Sequence, residues 1–175
     1  MYLKVSASIV VFPSDDAMIE SMTMPGHSRR KLVAFTDGAA RGNPGPSASG
    51  YAIFEGERRV KEDAFYNGKA TNNIAEYKAV VAALEWCVEN TDHGSVSVSL
   101  NSDSELVVRQ LRGAYKVKSE PLRPLHRKAM LLSNALGGVE FANLRRSNRH
   151  ISAVDKALNA LLDSYEDKQQ AKTST

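Results

Sequence analysis

The run KLVAFT, residues 31–36, restricts the fold more than any other stretch of this chain. It is almost continuously apolar, shows no alternation, and is closed by Asp37 and Gly38, as expected of a short strand buried on both faces. A strand of that kind needs neighbours on both sides and helices above and below. The next segments supply two strands, SGYAIFE (49–55) and RRVKEDAFY (58–66), joined tightly through Glu55, Gly56 and Glu57. A helix is predicted over 73–90, where Tyr77, Val80, Val81, Leu84 and Val88 recur at three- and four-residue spacing.

Alternation in SVSVSL (95–100) marks a fourth strand, and Asp103 opens a short helix through Leu106, Val107 and Leu111. Pro121 and Pro124 start a helix with Leu125, Ala129, Leu132 and Leu136 on one face, and Gly137 and Gly138 end it. VEFANL (139–144) is the fifth strand, and Ser152 opens a last helix facing inward with Val154, Leu158 and Leu161. The predicted order, three strands, helix, strand, two helices, strand, helix, describes an α/β domain. Its five-stranded mixed sheet has three antiparallel strands followed by two parallel ones, with helices on both faces.

At 175 residues the chain suits a single domain, expected from Lys31 to Tyr165. Residues 1–30 have no sustained period and form an extension, with an added strand or a loose arm expected at 3–12; residues 166–175 form a flexible polar tail. The single cysteine, Cys87, excludes an internal disulfide and a cysteine zinc site, and a reducing, cytoplasmic setting is expected for a monomer. No stretch approaches the ~20 apolar residues that cross a bilayer. The formal charge of +3 says little about nucleic acid, but the basic residues Arg109, Arg112, Lys116, Lys118, Arg123, Arg127 and Lys128 face only Glu120 in their stretch. That stretch is a phosphate-facing patch or a solvated helix face.

Four acids carry the chemistry. Asp37 and Asp103 follow strands, whereas Glu76 stands three residues after Asn73 and Asp155 three after Ser152, in capping-box relation. Taken singly, each is explained by a turn or a helix cap. Together they gather at one rim of an open sheet, where ligands bind beyond the strand ends. Carboxylates a few ångströms apart do not all stay ionised without cations. Oxygen-only ligands select a hard ion, Mg²⁺ or Mn²⁺, over zinc.

Three extended segments, TDGAARGNPGP (36–46), TNNIAEY (71–77) and NSDSEL (101–106), resemble the motifs of the type 1 ribonuclease H family, in the same order. The resemblance covers about Lys31 to Asp163 and is to compact members without the long basic insertion. It implies a ribonuclease H-like fold and an endoribonuclease that cuts the RNA strand of RNA/DNA hybrids, leaving 5′-phosphate and 3′-hydroxyl ends. By the same resemblance Asp37 bridges two Mg²⁺ ions, Glu76 and Asp103 hold one of them, and Asp155 holds the other. It also implies that Gly42, Asn43, Thr71, Asn72, Asn73 and Glu105 bind the hybrid. Small backbone and amide groups suit that task, because telling RNA from DNA means reaching 2′-hydroxyls in a shallow groove.

The fourth motif departs from the family: Ile151 stands four positions before Asp155 where relatives carry a polar residue, and Asp163 is an alternative acid. The loop LRRSNRHIS offers His150 as a proton carrier or an ordinary exposed histidine, and Arg145 and Arg146 as fixed cations. Two competing functions remain at this stage. One is a nuclease of the same fold acting on double-stranded RNA or as an exonuclease; the other is a binding module without catalysis.

Overall fold

Strand β1 (Arg30–Ala40) lies at the centre of the sheet, antiparallel to β2 (Gly45–Glu55) and parallel to β4 (Val96–Ser102). Strand β3 (Arg58–Ala70) extends the sheet beyond β2, and β5 (Val139–Asn143) extends it beyond β4, giving the order β3-β2-β1-β4-β5. The first three strands are antiparallel and the β1-β4-β5 part is parallel, as the sequence predicts. The computed structural model describes residues 29–92 and 95–173, so the strand expected at 3–12 lies outside the described residues. None of the described helices is long and apolar enough to cross a membrane.

Helices cover both faces. Helix α1 (Asn72–Asn90) buries Tyr77, Val80 and Leu84 against Leu32, Ala34, Ile53 and Leu100. Helix α2 (Glu105–Leu111) and α3 (Arg123–Ala135), the latter entered through a 3₁₀ turn at Glu120–Leu122, complete that layer with Val107, Leu111 and Ala129. On the opposite face α4 (Arg149–Thr173) lays Val154, Leu158 and Leu162 on Ala48 and Ala52 of β2. Small residues make room for it: a Cβ on Gly50 would stand 3.0 Å from Val154 Cγ1.

Several boundaries differ from the sequence expectation, four of them with consequences for the site or the chain's end. Strand β1 does not stop at Asp37; it continues to Ala40, because β2 still pairs with it there. Helix α1 is capped by Thr71, whose Oγ1 accepts from Ile74 N at 3.4 Å, and not by Asn73. Helix α4 starts at Arg149, ahead of Ser152, with Asn148 Oδ1 accepting from His150 N at 3.0 Å. The stretch expected to be a polar tail is helical as far as Thr173. Its Glu, Lys, Gln and Ala residues favour helix, and Tyr165 stacks on Tyr66 with ring centroids 4.0 Å apart.

Candidate active site

The β1-β4 ladder ends at the pair Thr36 and Ser102, so Asp37 and Asp103 are the next residues of two adjacent parallel strands. Beyond that pair β1 runs on beside β2, while the chain after β4 turns away, with Ser104 N donating to Ser102 Oγ at 3.1 Å before α2 begins. That divergence is a topological switch point of the sheet. Glu76 reaches it from α1 on one face, and α4 carries Asp155 on the other.

Two contacts bring Glu76 in. Gly38 lets the α1 backbone approach β1 so closely that a Cβ on it would lie 2.2 Å from Glu76 N. Ser49 Oγ donates to the Ala75 carbonyl at 2.6 Å and itself accepts from Asn67 Nδ2 at 2.7 Å. Loss of one such bond costs about 1 kcal/mol. Ser49→Ala is therefore expected to lower the melting temperature by roughly 2–4 °C, and an unchanged melt would remove this anchor from the account. Both acid-bearing helices begin earlier than the capping-box reading requires, so Glu76 and Asp155 stand past their first turns.

One carboxylate oxygen from each of Asp37, Glu76 and Asp103 falls within a common span of 4.8 Å. Asp37 is fully buried and Glu76 nearly so. Asp37 Oδ2, Glu76 Oε2 and Asp103 Oδ1 are buried with no hydrogen-bond partner. Burial pushes the Asp37 carboxyl up to about 8, with the charges of Asp103 and Asp155 adding to the shift and Arg146 opposing it. Glu76 is pushed well above its ordinary value, again first by burial and then by Asp37 and Asp103. Orphaned, mutually repelling oxygens of this kind fit a hard divalent cation.

Asp155 lies outside the compact triad and is tied to it through Arg146. The guanidinium places Nε 3.2 Å from Asp103 Oδ2 and Nη2 3.4 Å from Asp155 Oδ1. Asn159, one turn along α4, donates to Asp155 Oδ1 at 3.0 Å; its i+4 spacing was visible in the sequence but carried no weight there. The alternative acid Asp163 is engaged elsewhere, in an ion pair with Arg41. His150 is turned away into a slot between Phe35 and Phe54, with ring centroids 4.5 and 4.6 Å away. Burial and then the charge of Arg149 lower its pKa. Arg149 Nε donates to its Nε2 at 3.0 Å, which leaves Nδ1 to carry the proton of the neutral ring.

The residues expected at the hybrid surface gather beside Glu76. Gly42, at φ 97°, turns the chain after β1, and Asn43 precedes Pro44 through a cis peptide. Asn43 Oδ1 accepts from Asn72 N at 3.3 Å, and Asn72 Nδ2 donates to Glu76 Oε1 at 3.4 Å. Thr71 caps the helix and Asn73 is exposed in its first turn. Glu105 stands apart, paired with Arg109 at 2.7 Å.

Residues 29–136 match the family model described as RNase H. Ribonuclease HI of Halobacterium salinarum is 34% identical over 156 residues, 89% of this chain and 75% of that protein. A span of that length takes in both Asp37 and Asp155 wherever it begins. This chain belongs to the type 1 RNase H family. LC11-RNase H1, isolated from compost, has a solved structure that superposes with a TM-score of 0.72 at 34% identity, covering 78% of this chain and 98% of that one. The complex of LC11-RNase H1 with an RNA/DNA hybrid superposes with a TM-score of 0.64 at 33% identity, covering 75% and 99%. Ribonuclease H activity follows from membership in the family, and the acidic triad of this RNase H is a site able to hold a divalent metal.

Proposed function

We propose that this RNase H is an endoribonuclease that hydrolyses the RNA strand of RNA/DNA hybrids, leaving 5′-phosphate and 3′-hydroxyl ends. The observation that carries this reading is the convergence of one carboxylate oxygen from each of Asp37, Glu76 and Asp103, three acids that each bury an unpartnered oxygen, with Asp155 bound to the same cluster through Arg146. Asp37, Glu76 and Asp103 would hold one divalent cation, with Asp37 shared by a second that Asp155 completes. Two such ions, Mg²⁺ or Mn²⁺, would stabilise the entering and leaving oxygens of an in-line phosphodiester displacement. The protein's own part is to hold the acids convergent and to keep Asp37 and Glu76 out of bulk water, which strengthens every charge interaction there.

The substrate reading is supported by the corner built from Gly42, Asn43, Thr71, Asn72 and Asn73, which presents backbone and amide groups beside Glu76. Groups of this size and polarity suit 2′-hydroxyl recognition in a shallow groove. The hybrid bound by LC11-RNase H1 supports it further. Glu105 is exposed and paired with Arg109 through Oε1 alone. All four acids come from one chain, which suits a monomer. Cleavage of end-labelled RNA in a hybrid, in duplex RNA and as a single strand, with Mg²⁺ or Mn²⁺, tests the proposal. Hybrid RNA is expected to be cut internally. Intact hybrid RNA beside cut duplex RNA would shift the substrate to double-stranded RNA, and shortening only from an end would make the enzyme an exonuclease.

A further inference from the structure

Among the described residues one positive group pairs with the acid cluster, and its position divides the carboxylates unequally. Asp103 Oδ1 is buried without a partner, whereas its Oδ2 is paired with Arg146. Asp155 Oδ1 is doubly engaged, by Arg146 and by Asn159. A cation that enters through the three orphaned oxygens therefore displaces nothing. A cation that uses Asp155 meets a guanidinium already there.

Arginine keeps its charge at every accessible pH, so this positive charge leaves the cluster only if the side chain moves. It is free to do so: the Arg146 side chain is 64% exposed, in the loop between β5 and α4. The ends of that loop are held independently of it, by Leu144 N on the Ser102 carbonyl and by Asn148 capping α4. All four acids act on Arg146, Asp37 and Asp103 most strongly after its burial, so its charge belongs to the whole cluster and not to one pair.

We propose that Arg146 is a positioning residue and built-in counter-cation, which holds Asp155 against Asp103 in the metal-free enzyme and competes with the second cation to bind. The inference rests on the two-cation reading above. It makes the two binding events unequal: the triad fills first, and the Asp155 position fills only as Arg146 swings out. Planar, multiply donating guanidinium spans two carboxylates in a way that a lone ammonium does less well, but the competing charge is common to both.

Titration of the metal-free 175-residue chain with Mn²⁺ by calorimetry tests this in the wild type and in Arg146→Ala, Arg146→Gln and Arg146→Lys. Metal-free thermal melts of the same proteins provide the second readout. In the Ala and Gln variants the weaker binding event is expected to tighten by about 5–20-fold while the tighter one changes by less than about 3-fold, since like charges a few ångströms apart repel by that order. The metal-free melting temperature is expected to fall in the same two variants, because four acids lose their counter-charge, and Lys is expected to stay near the wild type in both readouts. A residue that merely braces the loop would weaken both binding events on removal. Two events with the weaker one unchanged or weakened in Ala and Gln would overturn the role of Arg146 alone. A single event in every protein would overturn the two-cation reading and this inference with it.

Discussion

Asp37→Asn is expected to reduce cleavage by roughly 10³-fold or more while making the metal-free protein more stable. The first effect follows from the stabilisation that divalent cations supply in phosphoryl displacement, several kcal/mol, where each 1.36 kcal/mol is tenfold in rate. The second follows from burial. Asp37 is fully buried, its Oδ2 has no partner, and Asp103 and Asp155 repel its charge. Asparagine keeps the shape and the acceptor that Gly38 N reaches at 2.8 Å, and removes the charge. The gain is on the order of 3–5 kcal/mol at pH 8, the range for an uncompensated buried charge.

The pH dependence has a definite sign. The Asp37 carboxyl titrates near 4 in the unfolded chain and at about 8 in the folded one, so the folded state binds more protons in between. Stability of the metal-free wild type therefore falls as pH rises from about 4 to about 8. The Asn variant lacks this component, so the two melting temperatures diverge across that window and meet at its acid end. Saturating Mg²⁺ reverses the order, because only the wild type gains from a ligand that needs the carboxylate. Melts in chelator and in Mg²⁺ from pH 5 to 9 check both halves. A variant no more stable than wild type at pH 8 in chelator, or one that still cuts, contradicts the assignment.

Three of the acids could be read from the sequence because Asp37, Glu76 and Asp103 sit in extended motifs, and the fold brings one oxygen of each within 4.8 Å of the others. The run at 31–36 predicted a central strand, and β1 does pair on both sides. Depth was harder to read. TNN offers three consecutive capping residues, and local sequence cannot choose among them. The choice falls to Thr71 as the Gly42–Asn43 turn packs against the helix start, with Asn43 accepting from Asn72 N. The same ambiguity displaced the start of α4: both Asn148 and Ser152 can cap, and the fully buried Ile151 draws the earlier turn into the helix.

His150 shows the limit more sharply. Its slot is built by Phe35 and Phe54, residues on two strands about a hundred positions away, so no window around LRRSNRHIS could have separated it from Arg146. Arg146, in contrast, was already a named cation, and only the fold could show that it reaches Asp103 and Asp155 while Arg145 is exposed and pairs with no acid among the described residues.

Gly38→Ala is expected to be among the most damaging single-methyl additions in the chain. Gly38 lies in β1 opposite Ser49, where its backbone conformation is ordinary extended strand; what requires glycine is proximity. An added Cβ would sit 2.2 Å from Glu76 N, 2.4 Å from Ala75 C and 2.7 Å from Glu76 Cα, all backbone atoms of α1. No rotamer relieves such a clash, so the helix itself must shift. Overpacking of a rigid contact costs about 3 kcal/mol or more, which corresponds to roughly 6–12 °C in melting temperature for a domain of this size. Helix α1 also buries Tyr77, Val80 and Leu84, so that shift strains the larger core. It moves Glu76 away from Asp37 at the same time, so cation affinity should fall together with stability. Gly56→Ala serves as the control, since a Cβ there meets nothing within 4 Å and only its φ of 61° is strained. It should cost about 1 kcal/mol and leave cation binding unchanged. A Gly38→Ala protein with wild-type melting temperature and Mn²⁺ affinity would show that the α1-β1 approach does not position the site.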